Sequence, residues 1–189
     1  MKMKMDKILY AVIFLIFACS GEKEVITKQV TMETENVEVF LLSTLNDSRG
    51  YCLDIIGYKD SADVNKGIQA HSCYSSQGEI SVDQGFDKAK IALNEFYIPH
   101  FKVCLSADKI EESSTVKLDI CDNTENQKFI LQNDGKIQPS SNLNLCLTVS
   151  ESYREGGGGN PVHLIRSLSL EICNNNLSSR QTWGTRSIK

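Results

Sequence analysis

The chain has 189 residues and a formal net charge of −4 at pH 7, from 20 Lys+Arg against 24 Asp+Glu. That acidic balance argues against nucleic acid and anionic headgroups as partners. The length leaves no room for a second, catalytic domain beside one of ordinary size.

Lys2, Lys4 and Lys7 against Asp6 make the start basic, and Ile8–Phe17 then form an unbroken apolar run. The run is too short to cross a bilayer as a mature helix, and with its basic flank it predicts a signal peptide. The next residues, "IFACSG", resemble a bacterial lipobox, with Ile16 three residues before Cys19 and Ala18 directly before it; Phe17 departs from the usual pattern. The resemblance implies a lipoprotein signal peptide over residues 1–18 and lipidation of Cys19 as the new N-terminus, hence a membrane anchor. Ser20, by resemblance to enterobacterial sorting, implies the outer membrane. The alternative is an ordinary secretory signal with an incidental cysteine. Cleavage would remove three lysines and one aspartate, leaving the remainder more acidic still.

Residues 19–36 are polar and charged, which predicts a flexible tether. From Val37 to Phe40, "VEVF" alternates as a half-buried strand does. The rest, residues 37–189, has short apolar stretches broken by Gly, Asn, Asp and Ser, with no sustained helical period. That pattern predicts an all-β domain of short strands. Lys88–Lys102 reads as strands joined by a turn at Pro99, and Gly156–Gly159 as a flexible surface loop. The glycine run is no phosphate loop, because no Lys-Ser/Thr follows it.

Six cysteines follow Cys19: Cys52, Cys73, Cys104, Cys121, Cys146 and Cys173. An even count in an exported chain suggests disulfides, although spacing alone does not choose the pairing. The surrounding residues form a repeat. Cys-Leu occurs at Cys52-Leu53, Cys104-Leu105 and Cys146-Leu147. Each is followed by a second cysteine, after "GIQAHS", "TVKLDI" and "LSLEI", and then by Gln-x-aromatic: Gln84/Phe86, Gln127/Phe129 and Gln181/Trp183. The order recurs three times at a period of roughly 40–55 residues.

This pattern resembles the ricin B-type lectin family, β-trefoil carbohydrate-binding modules with a Q-x-W motif in each repeat. The resemblance covers essentially all of the domain from Val37. The departures are Phe for Trp in two repeats, a long stretch from Cys73 to Gln84, and an insertion, "SYREGGGGNP", in the third repeat. One repeat is too small to bury its own apolar face, and three around a pseudo-threefold axis share a core. The resemblance implies that Phe86, Phe129 and Trp183 fill that core. It also implies that each Gln ties its loop to backbone groups. The disulfides it implies are Cys52–Cys73, Cys104–Cys121 and Cys146–Cys173, one per repeat.

A sugar pocket in this family takes a carboxylate just after Cys-Leu, an aromatic two residues before the second cysteine, and a polar pair leading into Q-x-W. A carboxylate accepts from neighbouring hydroxyls, and a ring covers the apolar face of the sugar. In the first repeat these places hold Asp54, His71, and Asp83 with Gln84, while Gln69 shares a strand face with His71. Asp54 as a turn cap is the alternative. Tyr58 and Tyr74 stand beside His71 as alternative platforms. The second repeat has Ser106, Lys117 and Asp119 at these places and the third has Thr148, Ser169 and Glu171. Neither keeps a carboxylate with an aromatic, so one intact site is expected, in the first repeat.

These residues favour a lectin for a galactose-like sugar, with no cofactor. The alternative is a non-lectin trefoil that binds a protein partner, such as a toxin-delivery subunit with a vestigial pocket. His71 and Cys73 lack further ligands for zinc, and His100 and His163 lack a partnered nucleophile, so neither metal nor catalysis is expected.

Overall fold

The computed structural model describes residues 35–188. The signal peptide, Cys19 and the tether as far as residue 34 lie outside the described residues.

Three four-stranded repeats follow one another. The first is β1 (Asn36–Leu41), β2 (Tyr51–Ile55), β3 (Ile68–Ser72) and β4 (Gly85–Asp87). A short helix, α1 (Lys88–Ile91), leads to β5 (Tyr97–Ile98), β6 (Val103–Ala107), β7 (Ser114–Ile120) and β8 (Phe129–Leu131). The third repeat holds β9 (Ile137–Pro139), β10 (Leu145–Val149), an inserted hairpin of β11 (Arg154–Glu155) and β12 (Leu164–Arg166), then β13 (Leu168–Ile172), the helical turn α2 (Ser178–Gln181) and β14 (Trp183–Arg186). The central hairpin has the same register each time. Cys52 faces His71, Cys104 faces Asp119 and Cys146 faces Glu171. Pairing of β1 with both β4 and β14 joins the chain's last strand to its first.

The core is the shared product of the repeats. Phe86, Phe129 and Trp183 are buried, and Phe96 stands edge-on to both phenylalanines at 6.2 and 6.4 Å. The Trp183 indole N–H donates to the Leu147 carbonyl at 2.9 Å, so the ring is satisfied as well as packed. The terminal tryptophan is therefore a core residue, placed where the third repeat closes. Cys52–Cys73, Cys104–Cys121 and Cys146–Cys173 are disulfides, one inside each repeat.

Two local expectations change. "VEVF" is not half-buried: Val37, Glu38 and Val39 are all buried, so both faces of β1 are covered along this stretch. The Glu38 carboxylate is admitted by Arg186, whose Nε donates to it at 2.7 Å, and by the Ser75 N–H at 3.0 Å. Lys88–Ile91 is helical rather than extended, since Asp87 Oδ1 accepts from the Ala89 and Lys90 N–H groups at 2.9 and 3.1 Å and caps the turn.

Candidate functional site

A glutamine clamp recurs in every repeat. Gln84 Oε1 accepts from the Tyr74 N–H and its Nε2 donates to the Ser72 carbonyl. Gln127 does the same with Asp122 and Ile120, and Gln181 with Asn174 and Ile172. Each clamp thus holds the residues on either side of the second cysteine. What differs is the second contact of Nε2. It reaches Asp54 Oδ1 at 3.0 Å in the first repeat and Thr148 Oγ1 at 2.9 Å in the third.

Asp54 is fully buried. Its Oδ1 is taken by Gln84 and its Oδ2 by Gln69 Nε2 at 2.9 Å. Burial pushes its carboxyl well above the usual carboxylate range; the Gln69 amide opposes this, the charge of Asp83 adds to it, and the Gln84 amide opposes it. Asp83 is also fully buried, accepting from Ser81 Oγ and, at 2.6 Å, from the Lys59 N–H. Asp54, Asp83 and Gln84, expected to meet a ligand directly, lie fully buried. Amide and hydroxyl donors from their own repeat hold both carboxylates, and the three residues form a layer beneath the surface. Gln69 and His71 are the two expected residues that the structure brings to an open cleft.

That cleft, of about 610 Å³, lies between the first repeat and the inserted hairpin of the third. Tyr58, Tyr74, His71 and Gln69 face Arg154 and His163 across it. The hairpin is not a free surface loop. Its strand β12 extends the first-repeat sheet, pairing Ile165 with His71 and Arg166 with Ala70. Arg49 holds the turn by donating to the Pro161 and Val162 carbonyls at 2.9 and 2.8 Å. Gly159 has φ 90°, and a Cβ there would stand 2.7 Å from the His163 ring, so only glycine lets the imidazole lie against the turn. Gly57 shapes the opposite rim, with φ 145° and Ala62 Cα 2.5 Å from where its Cβ would be.

The cleft wall is aromatic. His71 packs against Tyr74 at 5.2 Å and against His163 at 5.0 Å, and Tyr58 meets Tyr74 edge-on at 6.3 Å. His71 Nδ1 lies 2.9 Å from the Ser72 carbonyl. A carbonyl only accepts, so Nδ1 carries the proton and Nε2 remains an acceptor. Burial lowers the His71 imidazole to about 4, and burial followed by the Arg49 cation lowers His163, so both rings are neutral at pH 7. Gln69 joins this wall to the buried layer, its Nε2 on Asp54 and its Oε1 accepting from Arg154 Nη2 at 3.2 Å.

The other repeats are filled differently. Lys117 pairs with Asp119 at 3.0 Å in the second, and Ser169 donates to Glu171 at 2.6 Å in the third. Both Tyr74 and Tyr58, the alternative platforms, stand on the first-repeat cleft. Arg154 and His163 were missed. They belong to an insertion outside the repeat, and the only trace of them in the sequence is the insertion itself.

No curated protein is significantly similar to the chain in sequence. Among solved structures, a mutant C-terminal domain of an earthworm lectin, in complex with 6'-sialyllactose, superposes with a TM-score of 0.53 at 15% identity, covering 81% of this chain and 98% of that one. The C-half of the earthworm R-type lectin in complex with GalNAc gives 0.54 at 15% identity over the same shares of the two chains, 81% and 98%. The mdaA-1 domain, solved in solution, gives 0.58 at 13% identity, over 80% of this chain and 89% of that one. At such identities the likeness carries the fold alone. The ricin-type β-trefoil lectin domain matches residues 41–183, which hold all three cysteine pairs and all three glutamine clamps. With that match over most of its length, the chain belongs to the ricin-type β-trefoil lectin domain family.

Proposed function

We propose that this domain binds carbohydrate through the first-repeat cleft, as the lectin of a protein exported and lipid-anchored at Cys19 in the outer membrane. The observation that carries the reading is the cleft wall. Tyr58, His71 and Tyr74 offer ring surface to the apolar face of a sugar, and Gln69 and Arg154 offer hydrogen bonds to its hydroxyls. Asp54 acts from beneath, fixing the Gln69 amide so that its carbonyl end points to Arg154. A galactose-like sugar is favoured by family membership, and GalNAc and 6'-sialyllactose in the earthworm complexes are in keeping with it. Shallow sugar pockets bind near the millimolar range, about 4 kcal/mol, and many anchored copies on one surface turn such sites into avid ones.

The test is a glycan array probed with the oxidised protein displayed multivalently, beside Tyr58→Ala and Gln69→Ala. The reading expects binding to galactose-terminated glycans that both variants weaken. The burial of Asp54 favours a second reading, an interaction domain with a vestigial pocket that serves a protein partner. A folded, oxidised sample that binds no glycan would overturn the lectin reading and favour that one instead.

A further inference from the structure

A second hollow, of about 250 Å³, adjoins the cleft and shares Ile56, Gln69, Arg154 and Ile165 with it. Its further wall brings Ser152, Tyr153, Arg166 and Ser167. Neither space has a carboxylate among its lining residues. Two guanidinium groups do line them, and among the described residues neither is ion-paired.

Arg154, at the junction, has its described hydrogen bond with a neutral partner, Gln69 Oε1. Arg166 is only 6% exposed. It lies between the Tyr51 and Tyr153 rings, 5.1 and 5.2 Å from their centroids. Its Nη1 donates to the Ser150 and Glu151 carbonyls and its Nη2 to Asn46 Oδ1 at 2.6 Å. Its buried Nε finds no acceptor among the described residues. A buried cation held only by neutral groups is costly, and stacked rings offset part of that cost. The inserted hairpin supplies both arginines, so the second and third repeats have no counterpart. Of the buried acids below, Asp54 is driven toward its neutral form by burial.

We infer that the 250 Å³ hollow is a subsite for an anionic group, a carboxylate or a sulfate, on a glycan whose adjoining sugar occupies the main cleft, with Arg154 as the residue that selects it. This rests on the lectin reading above and names the ligand class within it. A planar guanidinium pairs in a bidentate manner with either anion, and Ser152 and Ser167 add short hydroxyl donors beside it. Attraction between Arg154 and the anion gives discrimination rather than bulk affinity.

The experiment measures binding of the full-length oxidised protein to a neutral galactose-terminated oligosaccharide, its sialylated form and its 6-O-sulfated form. Each is tested against wild type, Arg154→Gln and Arg154→Lys, at low and high salt. The inference expects at least one acidic form to bind about tenfold more tightly than the neutral parent, a preference that salt weakens. Arg154→Gln should collapse the ratio and Arg154→Lys should retain part of it. Preference for the sialylated form assigns the carboxylate, and for the sulfated form the sulfate. Equal binding of neutral and acidic forms, or a preference that survives Arg154→Gln, overturns the anionic subsite and leaves the lectin standing. Binding of none of them removes the lectin reading and the subsite together.

Discussion

Ile165, in the third repeat, is the strand partner of His71, in the first. One repeat therefore supplies the floor of the cleft and another its far wall. Joining Ser152 directly to Leu164 through a short glycine linker removes Arg154 and His163 without touching a core aromatic. The trefoil should remain folded with its three disulfides, melting a few degrees lower, and glycan binding should fall by about tenfold or more as the walled cleft becomes an open face. Circular dichroism melts and binding on the same sample check this; unchanged binding would place the sugar elsewhere.

The glutamine clamps are equivalent in the backbone groups they hold, but not in what else they hold. Gln84→Ala leaves the buried Tyr74 N–H and Ser72 carbonyl short of a partner, costing about 1–3 kcal/mol, whereas the groups held by Gln127 and Gln181 are only part-buried. Gln84→Ala should cost the most of the three, since it also strips a donor from the fully buried Asp54. Chemical denaturation of Gln84→Ala, Gln127→Ala and Gln181→Ala gives the order directly.

Asp54 and His71 pull stability in opposite directions as pH changes. Burial raises Asp54 well above its ordinary 3.8, so above that pH the unfolded chain releases a proton the folded one keeps. Its contribution is therefore lost as pH rises toward the raised value. His71 falls from 6.5 to about 4, so below pH 6.5 the unfolded chain takes up a proton that the folded one refuses. That destabilises the fold on acidification, by roughly 3 kcal/mol by pH 4. Melting temperatures across about pH 4–7 should show His71→Phe losing less stability on acidification than wild type, and Asp54→Asn losing less on the way up. A His71→Phe profile parallel to wild type would contradict a buried neutral imidazole.

Glu38 is fully buried, and Arg186 is its cation. Arg186→Ala leaves that carboxylate without a charge partner at the seam between the first and last strands. The expected cost is about 3 kcal/mol, at the low end for a broken buried pair, because Arg186 itself is partly exposed. Adding Glu38→Gln should recover much of it, and a double-mutant cycle by denaturation measures the coupling.

The sequence by itself determined the fold. Three Cys-Leu, Cys and Gln-x-aromatic runs in one order mark three repeats sharing a core, because each buries its apolar face only against its copies, and the family resemblance that they carry implies the three disulfides and the core aromatics. It also singled out the first repeat, through Asp54, Gln69 and His71. The tertiary structure alone decided what those residues do. Whether Asp54 faces a ligand depends on how the Gln69 and Gln84 amides fall around it in space. Where the insertion lands depends on β3 having a free edge for β12 to pair with. Strand pairing between residues almost a hundred positions apart leaves no periodic mark on the chain, so Arg154, His163 and Arg166 became legible only once the third repeat had folded back onto the first.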